Sequence, residues 1–211
     1  MSEKKNLGFD LLAILRKFHL QHHQSCTHLE EWLSSSYAFT EFEEKILQDV
    51  YAEVSVAGDY MNEEELKAKL VSFLFYVAQA QGEKKIGVFY ERPLFGTVEE
   101  VYLSVICDCM VATKLAHQPD RPYFFLQEFK KAKGEKKDPE AQMLVAMLIA
   151  QEQNADNKPV YGSYIIGTGF HFATLMGKNY CISGKIEVSE MQNLRKVVFV
   201  LRKLKELIEN R

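Results

Sequence analysis

The chain has 211 residues, of which 47% are hydrophobic and 26% charged, and its formal net charge is -3. These values are those of a packed globular protein and exclude collagen-like, disordered and low-complexity chains. The length fits one compact unit with an accessory segment better than two full domains. No apolar stretch is long enough to cross a membrane, and Glu3 and Asp10 interrupt any signal-like segment. We therefore expect a cytoplasmic protein that makes no membrane contact.

The charge is distributed unevenly along the chain. Residues 29–53 contain seven acidic side chains and one lysine, whereas residues 127–137 contain five lysines and two glutamates. The C-terminal residues 185–211 are also basic. If the two basic segments meet in space, they form a positive side that suits nucleic-acid phosphates. The alternative for the lysine run at 130–137 is a solvated loop.

The cysteines and histidines give weak signals. The four cysteines include no CxxC pair and indicate no disulfide framework; they stand at positions 26, 107, 109 and 181. One group has the i, i+3, i+4, i+7 spacing that would place four possible Zn²⁺ ligands on one helix face: His19, His22, His23 and Cys26. The alternative is an exposed or lightly packed helix face without metal. His171 is interpreted as a hydrogen-bonded strand residue.

The first eighty residues have helical periodicity. Helices are predicted at 9–33, 40–56 and 62–82, from apolar residues at three- and four-residue steps and from capping residues at the second and third starts. We expect residues 1–60 to form a helical accessory segment and residues 61–211 to form the core, within one compact unit. The accessory helices either cover the sheet or form the face of a homodimer.

After residue 82 the periodicity becomes that of strands. Strands are predicted at 86–91, 101–113 and 123–130, with a turn at Pro119, Asp120 and Pro122 before the third. Later elements are a helix that begins at Pro139, strands at 160–167 and 170–176, an extension of the sheet at 180–183, and an amphipathic helix at 191–208. This order predicts an α/β (mixed α+β) fold with a central mixed sheet flanked by helices.

Three charged residues on the second and third strands are the candidate site. Asp108 is the only charged residue in the apolar run VICDCMVA, and a carboxylate buried there needs a partner or a metal. Glu128 and Lys130 are two residues apart on the next strand and would share a face. Two carboxylates suit Mg²⁺, and the lysine can orient a metal-bound water. The alternatives are a carboxylate that binds backbone groups and a charged strand end.

In its order of Asp, turn, Glu-x-Lys and helix, the chain resembles the PD-(D/E)XK nuclease superfamily, and within it the RecB-like branch, over roughly residues 62–176. The resemblance implies a restriction-endonuclease-like αβββαβ core, to which the N-terminal helices are an addition. It also implies hydrolysis of nucleic-acid phosphodiester bonds, with DNA as the expected substrate and Mg²⁺ or Mn²⁺ as the cofactor.

The resemblance assigns a role to each candidate residue. Asp108 and Glu128 would bind the metal, and Lys130 would stand beside the attacking water. Gln142 matches the glutamine that lies near the active site in RecB-like members. Glu65 on the preceding helix is a candidate for the additional carboxylate of some members, with Glu63 and Glu64 as alternatives for the same assignment. Glu91, at the end of the first predicted strand, is a further candidate.

The alternative is a catalytically inactive relative that binds nucleic acid or protein. The moderate net charge and the acidic N-terminal helices favour it. So do Val105 and Ala146, which stand where RecB-like members tend to have glycine and tyrosine.

Overall fold

The computed structural model describes residues 10–79, 86–130 and 138–209. The lysines between 131 and 137, the predicted helix end at Gly82 and the predicted helix start at Phe9 lie outside these residues. Within the described ranges, no helix combines the length and the apolar character needed to cross a membrane.

The fold contains both helices and strands. The helices are α1 Leu11–Lys17, α2 Thr27–Leu33, α3 Glu41–Ala57, α4 Glu63–Leu66, α5 Ser72–Val77, α6 Pro139–Asn154 and α7 Met191–Glu209. A 3₁₀ turn covers Gly58–Tyr60, and a π-helical turn, Lys67–Val71, joins α4 to α5. The strands are β1 Gln21–His23, β2 Ile86–Val98, β3 Val101–Leu115, β4 Gln118–Lys130, β5 Val160–Ile166, β6 Gly169–Met176, β7 Asn179–Ile182 and β8 Ile186–Glu187.

The strands form one mixed sheet of eight strands in the order β1-β7-β6-β5-β4-β3-β2, with β8 paired to β6. Strands β2, β3 and β4 form an antiparallel meander. Helix α6 then crosses over, and β5 pairs with β4 in parallel. Strand β6 is antiparallel to β5, and β1 pairs with β7 in parallel. The predicted mixed sheet flanked by helices is confirmed.

Helices cover both faces of the sheet, and each face has its own hydrophobic cluster. The first cluster contains Trp32 of α2, Leu47 of α3 and Leu201 of α7, packed against Phe125 and Phe172 of the sheet. The second contains residues of α1 and α6, including Ile14 and Leu148, packed against the opposite face. Helices α1, α2 and α3, which precede residue 60, therefore pack in the same hydrophobic clusters as the sheet.

The predicted helix over 9–33 is wrong. Helix α1 is capped by Phe18, and His19 has a φ of 50°, which a right-handed helix does not allow. The chain then extends into β1, where His23 pairs with Cys181, and a separate helix α2 follows. The pairing with β7 is a contact between distant parts of the chain that helical periodicity does not reveal.

The prediction from the cysteine spacing that the chain has no disulfide framework is also wrong. Cys26, which follows β1, is bonded to Cys181 of β7 across 155 residues of sequence, with a Cα–Cα distance of 6.2 Å. Cys107 and Cys109 are buried thiols that belong to no disulfide.

The predicted turn at Pro119, Asp120 and Pro122 is wrong as well, because these residues lie within β4. The turn stands earlier, at Ala116 and His117, both of which have positive φ. Pro122 lies in the register shift between β3 and β4, where Ala112 pairs with Tyr123 and Thr113 with Asp120, whereas Pro119 pairs with Lys114 close to the turn. A bulged part of a ladder tolerates proline because fewer N–H donors are required there.

The first strand is much longer than predicted, since β2 runs to Val98 instead of ending at Glu91. The predictions for α3, β5, β6, β7, α6 and α7 are confirmed. Thr40 and Glu43 form the expected capping box at the start of α3. Asp138 caps α6 with Pro139 in its first turn.

Candidate functional site

Asp108 lies in β3 at the point where β3 and β4 separate. The ladder between the two strands ends at the pair Cys109 and Gln127, beyond which β4 continues beside β5 only. The backbone N–H of Phe129 donates to Oδ2 of Asp108 at 2.8 Å. Only 9% of Asp108 is exposed, and the hydrogen bond compensates part of the cost of burying the carboxylate.

Strands β2 and β3 both change phase at this point. Cys107 packs in the second hydrophobic cluster and Cys109 in the first, although residues two apart in a regular strand share a face. In β2, Phe89 and Leu94 both pack in the second cluster, although residues five apart in a regular strand lie on opposite faces. The register is kept on either side, by the pairs of Tyr90 with Cys109 and of Arg92 with Cys107.

Glu91 and Asp108 stand opposite each other at this phase change, between the two flanking pairs. Glu91 has a φ of 51°, in the left-handed region that side chains other than glycine rarely adopt. A residue held in that region costs on the order of 1–2 kcal/mol and persists only where its surroundings require it. The irregular geometry brings Glu91 towards the helices that cover the first face.

Lys67 is the helix residue that meets these strands. Lys67 begins the π-helical turn. Its backbone carbonyl accepts two hydrogen bonds from Ser72, one from the N–H and one from the hydroxyl at 2.7 Å. Such turns insert one residue into a helix and often occur at functional sites. Only 8% of Lys67 is exposed, which is unusual for a lysine.

The ammonium group of Lys67 is surrounded by negative charge. Nζ contacts a carboxylate oxygen of Glu91 directly, lies 3.4 Å from Glu64 and stands 5.6 Å from the ring centroid of Phe129. Burial by itself would lower the pKa of Lys67, but the hydrogen bond to Glu91 and the charges of Asp108, Glu91 and Glu64 raise it above its ordinary value. Lys67 is therefore a fixed cation beside two carboxylate-bearing strands.

The backbone of Glu128 and Lys130 is placed in β4, opposite Tyr164 and Ile166 of β5 respectively. Their side chains lie outside the described part of the molecule, so the predicted contact of Glu128 and Lys130 with Asp108 stays a prediction. The backbone of Phe129, between them, touches Asp108. The Glu-x-Lys segment thus begins one residue beyond the end of the β3–β4 ladder.

Tyr164, the register neighbour of Glu128, belongs to a polar cluster at the start of α6. Its hydroxyl lies 3.3 Å from Glu140, and the hydroxyl of Tyr180 donates to the same carboxylate at 3.0 Å. Burial and the charge of Glu140 raise the pKa of both tyrosines, so each remains a donor at neutral pH. His171 stacks on Tyr164 at 4.5 Å, and its Nδ1 lies 3.3 Å from the carbonyl of Ser183.

Gln142 lies one turn into α6 and is 7% exposed. Among the described atoms, none donates to its buried Oε1. A buried amide oxygen normally has a partner, and an exception needs an explanation. Gln142 therefore stays a candidate site residue near the start of α6.

Glu65 has a local structural contact. Its carboxylate accepts from the N–H of Asn62 at 3.0 Å, and Asn62 in turn accepts from the N–H of Glu65, which completes a capping box. Glu65 also lies 4.0 Å from Lys69. Of the two carboxylates proposed as additional ligands, Glu91 is the one that stands opposite Asp108, between the flanking pairs of the β2–β3 ladder.

The predicted zinc ligands do not share a helix face. His19 is the left-handed residue after α1, His22 and His23 lie in β1, and Cys26 is bonded to Cys181. The interpretation of these residues as a helical metal site is wrong, because the helix that it requires is absent from the described segment 18–26. Among the described residues, no group of three or more His, Cys, Asp or Glu side chains is arranged to hold a metal.

Lys67 is the main residue that the sequence analysis missed. A signal was present, because Lys67 stands three, four and seven residues before Leu70, Val71 and Leu74, on the apolar stripe of its helix. A lysine in such a stripe is expected to be buried only if it is paired. The sequence analysis considered only the glutamates of this segment as candidates, at positions 63, 64 and 65.

Comparisons with known proteins give no further guide to function. No protein-family model matches the chain, and no curated protein has a significantly similar sequence.

Proposed function

We propose that this protein is a divalent-metal-dependent nuclease that hydrolyses phosphodiester bonds in nucleic acid, with DNA as the expected substrate and a PD-(D/E)XK-type site. The observation that supports this proposal best is the position of Asp108. Its buried carboxylate accepts from Phe129, the central residue of the Glu128-Phe129-Lys130 segment, where two strands separate. A carboxylate and a Glu-x-Lys segment on adjacent strands are the arrangement that such a site needs.

The connectivity of the core is a second support. Helices α4 and α5, the antiparallel strands β2 to β4, the crossover helix α6 and the parallel strand β5 follow one another in the order αβββαβ. This is the order of a restriction-endonuclease-like core. Fold and activity are separate claims, so the site must be tested by itself.

The donor set fits a hard cation. Asp108 and Glu128 would hold Mg²⁺ or Mn²⁺ through carboxylate oxygens, with Glu91 as a further acidic neighbour. Bound there, the metal would supply Lewis-acid activation of a phosphoryl oxygen and of water. The N–H of Phe129 fixes the carboxylate of Asp108 in one orientation, which reduces the entropy lost when a ligand binds.

The protein residues would divide the remaining chemistry. Lys130 would hold the attacking water and offset the charge that develops on the phosphoryl oxygens. The water oxygen forms a bond to phosphorus and gives up a proton to solvent, the bond between phosphorus and the leaving oxygen breaks, and the leaving oxygen takes up a proton from solvent. Gln142 would add a hydrogen-bond acceptor near the start of α6.

The test is cleavage of labelled single-stranded, duplex and branched DNA and of RNA by the full chain with Mg²⁺ or Mn²⁺. We expect cleavage by the unaltered protein and at least about a hundredfold loss in Asp108→Asn and Lys130→Ala, since each removes a group proposed to act at the reacting centre. Lys69→Ala is the matched control, because Lys69 is an exposed lysine paired with Glu53. Cleavage by Lys130→Ala at the unaltered rate would contradict the proposal.

A second candidate function has one specific observation in its favour. The ammonium of Lys67 already pairs with Glu91, so part of the carboxylate charge is neutralised without metal. A catalytically inactive relative that binds nucleic acid would keep such a pairing. Salt-dependent binding of nucleic acid without cleavage, with either metal present, would favour this function over the nuclease.

A further inference from the structure

Lys67 occupies a position that a metal-binding interpretation of the site leaves unexplained. Its ammonium group contacts Glu91, and the charge of Asp108 acts on it from the neighbouring strand. Both carboxylates stand at the shared phase change of β2 and β3, so the lysine and a divalent cation would be attracted to the same place. The side chain of Lys67 is 11% exposed, against 46% for Lys69 two residues later.

The local backbone supports a specific placement of this lysine. The π-helical turn begins at Lys67 and is closed by two hydrogen bonds from Ser72. On the opposite side, Glu91, whose carboxylate contacts the lysine, has its backbone in the left-handed region. Two irregularities, one in a helix and one in a strand, thus produce a single ion pair.

We infer that Lys67 is an internal cation that competes with the divalent metal for Glu91 and Asp108. In the metal-free protein the ammonium holds the two strands' carboxylates together and limits their repulsion. Metal binding requires the ammonium to withdraw, which four rotatable side-chain bonds allow. The inference rests on the proposed function, because it assumes that these carboxylates bind metal.

The competition makes a clear prediction for metal affinity. Removal of a unit positive charge beside a bound divalent ion strengthens binding, and at the effective dielectric of a partly buried site we expect at least about tenfold. Lys67→Met keeps the length and apolar body of the side chain and removes the charge. Lys67→Arg keeps the charge and should bind metal about as weakly as the unaltered protein.

The experiment is a titration of the full chain with Mn²⁺, read from the electron paramagnetic resonance signal of free Mn²⁺, for the unaltered protein and for Lys67→Met, Lys67→Arg and Lys69→Met. Thermal unfolding with and without Mn²⁺ provides a second readout, because a ligand that binds the folded state raises the midpoint, and at a given concentration the rise grows with the logarithm of its affinity. We expect tighter binding and a larger rise only in Lys67→Met. If circular dichroism shows that this variant does not fold, Lys67→Gln replaces it.

The possible outcomes separate the two claims. If the unaltered protein binds Mn²⁺ and Lys67→Met binds it equally or more weakly, the competition is refuted and the metal-dependent nuclease is not. If Lys69→Met gains affinity as much as Lys67→Met does, the effect is one of general charge and the inference fails. If none of the proteins binds Mn²⁺, both the inference and the metal site fail.

Discussion

Reduction of the disulfide between Cys26 and Cys181 should destabilise the protein strongly. The bond closes a loop of 155 residues, and the chain-entropy relation for a loop of that length gives about 5 kcal/mol of stabilisation. For a chain of this size, each kcal/mol corresponds to about 2–4 °C in the unfolding midpoint, so the full entropic value gives a fall of about 10–20 °C. Native-state effects in other proteins often reduce that value, and at about 2 kcal/mol, the low end of what is typical, the fall is about 4–8 °C.

The assay is thermal unfolding followed by circular dichroism, with and without a reductant, for the unaltered protein and for Cys26→Ser. The reductant should lower the midpoint of the unaltered protein and leave that of Cys26→Ser unchanged. A thiol titration in denaturant should find two reactive groups before reduction and four after it, because Cys107 and Cys109 are free.

Two results would refute this reasoning. Four reactive thiols in the unreduced, denatured protein would mean that the bond is not formed. A confirmed reduction without any change in midpoint would mean that the pairing of β1 with β7 and the packing of α2 hold this segment without help from the bond.

Two further predictions concern the core and the pH dependence of stability. Trp32 is fully buried, donates to the carbonyl of Val200 at 2.8 Å and meets three aromatic rings edge-on. Trp32→Phe should therefore lower the free energy of unfolding by about 2–3 kcal/mol, measured by urea unfolding followed by circular dichroism. A loss below about 0.5 kcal/mol would contradict this packing. Burial would raise the pKa of Glu43, but hydrogen bonds from Thr40 and Gln79 and the charge of Arg202, 2.7 Å away, lower it below 4.5. The carboxylate of Glu43 therefore stabilises the fold above about pH 4.5, and this contribution is lost as the pH falls through its lowered pKa. Glu43→Gln should cost about 2 kcal/mol at pH 7 and progressively less below that range, and a cost that stays constant with pH would show that the charge is not responsible.

Elements with strong local signals were predicted well from the sequence. Helix α3 has a capping box at Thr40, and α6 has an aspartate cap followed by Pro139, so both starts are encoded within four residues. Helix α7 has a continuous apolar stripe over its whole length. In each case the residues that define the element are neighbours in sequence, and distant contacts only stabilise what the local pattern already favours.

One error lies where distant contacts decide the conformation. Residues 18–26 leave the helical pattern because β1 pairs with β7 and Cys26 bonds to Cys181, more than a hundred residues away. The remaining errors have a local cause. The turns that join β2 to β3 and β3 to β4 consist of Glu99 and Glu100 and of Ala116 and His117, which all have positive φ. None of these residues is the glycine, asparagine or aspartate that usually marks such a turn in a sequence, so the hairpins were not recognised.

The candidate site was predicted only in part, because one of its residues has a local signal and its contacts depend on strand register. Asp108 was found because a lone charge in an apolar run is visible in any window of the sequence. Its contact with the backbone of Phe129 and its position opposite Glu91 depend on strand register. Lys67 was missed because its burial requires both the π-helical turn and the left-handed Glu91.

Stability alone does not explain the group formed by Lys67, Glu91 and Asp108. The side chain of Lys67 is 11% exposed and that of Glu91 is 55% exposed, so the ammonium group loses most of its hydration to pair with a carboxylate that stays largely in water. Burying a charge in this way often costs more free energy than the attraction returns, and an apolar side chain of similar volume would avoid that cost. The left-handed backbone at Glu91 adds a further cost, and the inserted residue of the π-helical turn weakens its hydrogen bonding. An apolar residue at position 67 with regular helix and strand geometry would avoid all three costs. Their presence at one point is therefore most simply explained by a requirement to hold charged groups together beside the opening between β3 and β4, which is where the proposed nuclease would bind a substrate phosphate.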